Sequence, residues 1–352
     1  MRGIAALTVA LWHVTWRNHI TILGFLTNGP LMVDFFFVLS GFVMFHSYKA
    51  RLRSFFDARR FMVVRWGRLY PLHLAMLLVF VAIECGKWIA LHFHLAAVAS
   101  VPFAVNTTGA LAANLLLIHG LGLYPGPTWN IPSWSISTEF FTYALFAMVA
   151  LVARNRGVFV AVCAAFAAAG LTVSWVAVGG LGDTGRFAFF RCMLGFFAGV
   201  VTRAVYGALS KLRWPRGIWR WSSVVSLAAV LVFLSLKGLG PLYFCCVPLF
   251  MAAILTSALA ENAGVRVLHA PVLVWLGTVS YSIYMVHPAV VWSIEFVLQW
   301  VLHVPRPDYY ATAAWAGDLL VALYVAIVLL VSRWTFLHIE DRFRRRIKSA
   351  AS

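Results

Sequence analysis

"RGIAALTVALWH", Arg2 to His13, sets a guanidinium and an imidazole at the two ends of ten uncharged, mostly apolar residues. A basic residue ahead of a short apolar run opens a secretory leader, and it equally opens a retained membrane helix that carries a working histidine. The residues that follow, Val14, Thr15, Trp16 and Arg17, are not the small-x-small pattern of a cleavage site. A second apolar stretch at 30–48 also needs a first helix to set its orientation. The segment therefore reads as the first helix of a polytopic membrane protein. Composition agrees: 352 residues, 62% hydrophobic and only 11% charged, with 15 Trp and 28 Phe, lie outside the usage of a soluble domain.

At about 20 apolar residues per span, helices are expected at 1–16, 30–48, 69–91, 133–153, 158–178, 187–205, 221–236, 240–260, 273–301 and 312–336. That is an all-α bundle of about ten transmembrane helices with both ends on one side. The basic residues test the layout. Of the 28 Lys and Arg, 22 fall at the ends and loops assigned to the cytoplasm, among them Arg2, the block Lys49–Arg68, Arg154, Arg156, Arg203, the block Lys211–Arg220, Arg266 and the tail from Arg342. Arg17, Lys87, Arg186, Arg191, Lys237 and Arg306 are assigned to the outer side or toward it. The positive-inside rule favours this topology. The net charge of +17 would suggest nucleic acid in a soluble protein, but cations clustered between apolar spans speak for bilayer orientation and for contact with membrane lipid instead.

"GALAANLLLIHGLGL" (109–123) is apolar but short, and counting it as a span would reverse every later loop against the charge bias. It is expected to be re-entrant or interfacial. No repeat, low-complexity tract or appended soluble domain is visible, so residues 1–352 read as one domain. The five cysteines show no CxxC spacing, and neither a disulfide framework nor a metal site is expected.

Ionisable groups inside spans are costly, and each is a candidate for function. They are His13, Asp34 in "MVDFFFVLSGF", Glu139 in "WSISTEFF" and His287 in "YSIYMVH". The helices at 1–16 and 133–153 run in opposite directions, so His13 and Glu139 reach similar depth and are expected to meet. An imidazole held by a carboxylate is a general base near neutral pH. The bland alternative makes the two residues interhelical hydrogen-bonding glue. Ser40, Ser135 and Ser137 lack a GxSxG turn, which argues against a serine nucleophile. In "KARLRSFFDARRFMVVRWGRLYP" (49–71) most cations serve orientation and headgroup contact. Arg65 and Arg68, spaced i, i+3 ahead of Tyr70-Pro71, share a helical face that could clamp a phosphate. "GFFAG" (195–199) is a GxxxG that packs helices.

Together these pieces resemble the integral-membrane acyltransferase-3 family. The landmarks are Arg2 and His13, "VDFFFVLSGFV", "RWGRLYP", "WSISTEFFTY", "GRFAFFRCMLGFFAG", "LGTVSYSIYMVH" and "HIEDRFRR", spread from residue 2 to about 346. The resemblance implies a membrane O-acyltransferase that takes an acyl group, by default acetyl, from cytoplasmic acyl-CoA and moves it to a hydroxyl of an extracytoplasmic poly- or oligosaccharide or glycolipid. It implies a catalytic role for His13, with Glu139 beside it, and acetyl-CoA binding by Arg65 and Arg68. Arg2, Asp34, Tyr281 and His287 take substrate-binding or supporting roles. The competing class is a transporter or flippase of an envelope glycan that uses the same intramembrane His and carboxylates as a proton relay. Paired Gly/Pro-broken helices in matching halves, which that class would show, are not apparent in the sequence.

Overall fold

The computed structural model describes residues 1–93, 101–182, 184–212, 214–260, 270–298 and 313–350, and every regular element among them is helical. The helices are α1 (Arg2–Trp12), α2 (Met32–Tyr48), α3 (Phe55–His92), α4 (Thr108–Leu115), α5 (Ser133–Val152), α6 (Arg156–Val178), α7 (Ala188–Leu209), α8 (Arg216–Ser235), α9 (Cys246–Ala260), α10 (Pro271–Thr278), α11 (Ser280–Phe296), α12 (Ala314–Thr335) and α13 (Asp341–Ala350). Among the described residues eight stretches are long and apolar enough to cross a bilayer, and the bent pair α10–α11, counted as one span, makes a ninth. The chain is an all-α polytopic membrane protein. Residues 299–301 and 312 of the expected last two spans, together with Arg266 and Arg306, lie outside the described residues.

Each expected span meets a helix, with three differences. α1 stops at Trp12, so His13 is its C-cap residue; at about 1.5 Å per residue it is too short to cross a hydrocarbon core alone. α3 begins at Phe55, not near residue 69, because Ser54 and Asp57 form a capping box: Ser54 Oγ accepts from Asp57 N–H at 3.1 Å, and Asp57 Oδ2 accepts from Ser54 N–H at 2.8 Å. Pro71 therefore lies inside a 38-residue helix that carries most of the cationic block on its first turns. The span expected at 273–301 is broken at Val279, where α10 and α11 meet at 68°. The 109–123 stretch is not among the long apolar helices. It folds as the short α4 followed by turns, tied down by His73 Nε2 to Asn114 O (3.0 Å) and His119 Nε2 to Ser133 Oγ (3.1 Å).

Two contacts position the site. α2 and α7 cross at glycines: a Cβ on Gly41 would lie 1.8 Å from Phe196 O, and one on Gly199 only 1.9 Å from Val38 O. The "GFFAG" stretch thus brings two backbones together, as its spacing suggests. α1 packs against α2 and against both arms of the bent α10–α11 pair. Gly3 permits this approach, since a Cβ there would lie 2.3 Å from Leu276 Cβ.

Candidate active site

Two cavities lie back to back in the bundle. The first, of about 640 Å³, opens at the end that carries the cationic block, and Arg2, Arg65, Arg68, Glu139, Tyr143 and Tyr281 line it. The early start of α3 puts Arg65 and Arg68 one turn apart. Arg65 Nη2 donates to Tyr48 Oη at 2.8 Å, and its guanidinium lies over the rings of Tyr48, Phe61 and Tyr143 at 5.1 to 5.9 Å. Arg68 Nη2 sits 3.8 Å from Glu340 Oε1, a carboxylate that also accepts from Ser282 Oγ at 3.1 Å. Glu139 accepts from Tyr143 Oη at 2.5 Å, and Tyr143 Oη is 2.9 Å from Ser40 Oγ. Tyr281 Oη donates to Leu69 O at 2.6 Å, which straps α11 to α3 one residue past Arg68.

The Nε atoms of Arg2 and Arg65 are buried with no hydrogen-bond partner among the described residues. Orphaned guanidinium donors around a cavity with more cations than carboxylates fit an anionic ligand. Among the described residues no group of His, Cys, Asp and Glu could hold a metal ion.

The second cavity, of about 480 Å³, lies at the opposite end, and His13, Trp134 and Arg191 line it. His13 Nδ1 is 2.9 Å from Val9 O and 3.3 Å from Nε2 of the fully buried His287, whose own Nδ1 is 3.3 Å from Ile283 O. A carbonyl oxygen only accepts, so both Nδ1 atoms carry the hydrogen. His287 Nε2 is then an acceptor facing His13 Nδ1–H, and His13 Nε2, bare in this tautomer, has no hydrogen-bond partner among the described residues. Below them, Asp34 Oδ1 and Oδ2 accept from Arg191 Nε (2.9 Å) and Nη2 (2.7 Å), with the two side chains 1% and 4% exposed. Arg191 also stacks 5.3 Å from the ring of Trp134. Val33 and Tyr284 line both cavities and so form the partition between them. Tyr284 Oη is fixed there by Ser135 Oγ (2.9 Å) and Pro132 O (3.1 Å).

The expected meeting of His13 and Glu139 does not occur: His13 faces the second cavity and Glu139 the first. Matching depth along two antiparallel helices fixes height in the bilayer but not azimuth. α5 packs on α3, α6 and α7, whereas α1 packs on α2, α10 and α11. The neighbour of His13 is His287 instead. Arg191, placed on or toward the outer side by the charge count, is buried in the first turn of α7, in the wall of the second cavity, as the partner of Asp34. A guanidinium in "AFFRCML" was itself the signal, since a cation in an apolar helix needs a carboxylate.

The family profile described as an acyltransferase domain, acyltransferase 3, matches residues 1–337. A protein of Streptomyces mycarofaciens named Acyltransferase MdmB is 29% identical over 362 residues, covering 93% of this chain and 86% of its own length. No solved structure is significantly similar.

Proposed function

The chain belongs to this acyltransferase family, and we propose that it moves an acyl group, acetyl by default, from cytoplasmic acyl-CoA to a hydroxyl of an extracytoplasmic poly- or oligosaccharide or glycolipid. The observation that carries the reading is the pair of back-to-back cavities, one cationic and one built around a free imidazole, divided by two side chains. The positive-inside rule puts the cationic end, and with it both termini, in the cytoplasm of an inner-membrane protein.

The donor enters at the cationic end. Arg65 and Arg68 take phosphate oxygens, Arg2 adds a further donor, and Glu139 with Tyr143 acts on this side rather than on His13. Arg2 and His13 are eleven residues apart, about 16 Å along a helix, so the neutral pantetheine arm spans the depth between them and presents its thioester past Val33 and Tyr284. The acceptor hydroxyl binds in the second cavity. His13 Nε2 takes its proton as the oxygen attacks the thioester carbonyl carbon. The resulting imidazolium keeps Nδ1–H directed at Val9 O and at the bare Nε2 of His287, two acceptors that favour the added charge. The tetrahedral adduct collapses by breaking its C–S bond, the ester stays on the acceptor, and CoA leaves as the thiolate, which regains a proton from His13 or solvent. Arg191, held in place by Asp34, is the cation that lines the same cavity as His13 among the described residues.

The bent α10–α11 pair is the one observation that favours a glycan exporter, because transporters use broken helices at their substrate sites. A matching second broken span is not present among the described residues. Proteoliposomes given acyl-labelled acetyl-CoA and envelope glycans distinguish the two: an acyltransferase puts the label on glycan, and an exporter moves glycan without it.

A further inference from the structure

A third cavity, of about 700 Å³, adjoins the donor cavity along the last turn of α2, where His46 and Ala50 line both. Lys49, Arg53, Arg154, Arg156 and Arg203 line it, and no described acidic residue does. Lys49 is already engaged, since its Nζ donates to Ala150 O and Ala153 O, both at 3.1 Å, at the carbonyl end of α5. Arg156 and Arg203 are not answered by any carboxylate among the described residues, and they converge. A Cβ on Gly207 would lie 2.7 Å from Arg156 Nη2 and 3.3 Å from Arg203 Nη1, so both guanidiniums rest against one glycine. Arg203 is aimed by His46, whose Nδ1 accepts from its Nε (3.1 Å) and Nη2 (2.9 Å). An orientation signal needs only cations near the bilayer surface. It does not need two like charges gathered in the wall of one concavity, an arrangement that is unfavourable until an anion fills it.

We propose that this cavity binds the nucleotide end of acyl-CoA, with Arg156 and Arg203 holding the 3′-phosphate of its ribose. The proposal rests on the reading that acyl-CoA is the donor, and it follows from how that molecule carries its charge. The phosphates lie at one end and the thioester at the other, joined by a neutral arm. With the thioester at the Val33–Tyr284 partition, the phosphates come to the mouth of the first cavity, where His46 and Ala50 lead directly into the third. The deep arginines already have carboxylates nearby in Glu139 and Glu340, whereas the third cavity has cations alone.

The test is calorimetric titration of CoA and of 3′-dephospho-CoA into the full chain in nanodiscs, once with neutral lipid and once with anionic lipid. The wild type binds CoA at least about tenfold more tightly than dephospho-CoA, the loss expected for charge-assisted hydrogen bonds. Arg156→Gln and Arg203→Gln weaken CoA to the level of dephospho-CoA and leave dephospho-CoA unchanged, in both lipids. Arg203→Lys, which keeps the charge, recovers part of the preference, and the unchanged binding of dephospho-CoA shows that the Gln variants are folded. Arg59→Gln, outside the cavity, changes nothing. Equal affinity of the wild type for the two ligands overturns the proposal, as does a variant that weakens both alike. A preference that appears only in neutral lipid would assign the cluster to lipid headgroups and overturn it too. Binding of neither ligand by the wild type would instead refute acyl-CoA as the donor.

Discussion

Asp34→Ala should destabilise the bundle more than most single changes in it, because of what the substitution strands. Asp34 and Arg191 are 1% and 4% exposed and joined by two hydrogen bonds of 2.9 and 2.7 Å across the α2–α7 crossing. The close backbone approach at Gly41 and Gly199 leaves α7 little room to move Arg191 elsewhere. Removing one partner of a buried ion pair costs about 3–5 kcal/mol, most of it the penalty of the charge left behind. For a chain of this size that corresponds to a fall in melting temperature of about 4–7 °C. Replacing both partners by apolar residues removes the stranded charge, so Asp34→Leu combined with Arg191→Met should recover most of the loss. The assay is thermal unfolding in one detergent, followed by intrinsic tryptophan fluorescence, on the wild type, both single variants and the double. A single-variant loss below about 1 kcal/mol, or losses that simply add in the double variant, would show that the two residues are not the coupled pair described.

Three further outcomes follow from the cavities. His13→Ala and His287→Ala should be non-additive in transfer rate, whereas His13→Ala and Glu139→Gln should multiply, because the histidines touch and the glutamate serves the other cavity; steady-state transfer by all the single and double variants checks this. Val33→Phe should cut transfer at least about tenfold without weakening CoA binding, since it fills the partition and leaves the donor cavity open; Val33→Ala should admit longer acyl groups, read by competition between acetyl- and butyryl-CoA. Arg65→Lys should weaken CoA binding by roughly tenfold through loss of the planar fork, while Arg59→Lys leaves it unchanged, as titration calorimetry would show.

The sequence shows hydropathy and charge directly, and so the spans and their order were legible in it. Helix limits set by local chemistry were less so. The Ser54–Asp57 capping box stands in the sequence, but Pro71 is the louder signal, and it belongs inside α3 rather than at its start. The chemistry of each site residue was legible because an ionisable group in an apolar run is conspicuous. Its partner was not, because partners depend on the azimuth of packed helices. His13 finds His287 across the α1–α11 contact, which depth alone could not give, whereas Glu139 and Tyr143 are an i, i+4 pair on one helix that spacing could have shown. The Asp34–Arg191 pair needed the glycine crossing of α2 and α7, and the Val33–Tyr284 partition needed the two cavities.

Transfer across the bilayer with donor and acceptor on opposite sides tests the account most directly. The chain is reconstituted in sealed liposomes in one orientation, with acyl-labelled acetyl-CoA on the side of the cationic end and envelope glycan only on the other. The account predicts labelled glycan in the far compartment and free CoA in the near one, with both lost in His13→Gln, which keeps a hydrogen-bonding group but cannot act as a base. Label on glycan only when donor and acceptor share a compartment, or undiminished transfer by His13→Gln, would contradict it.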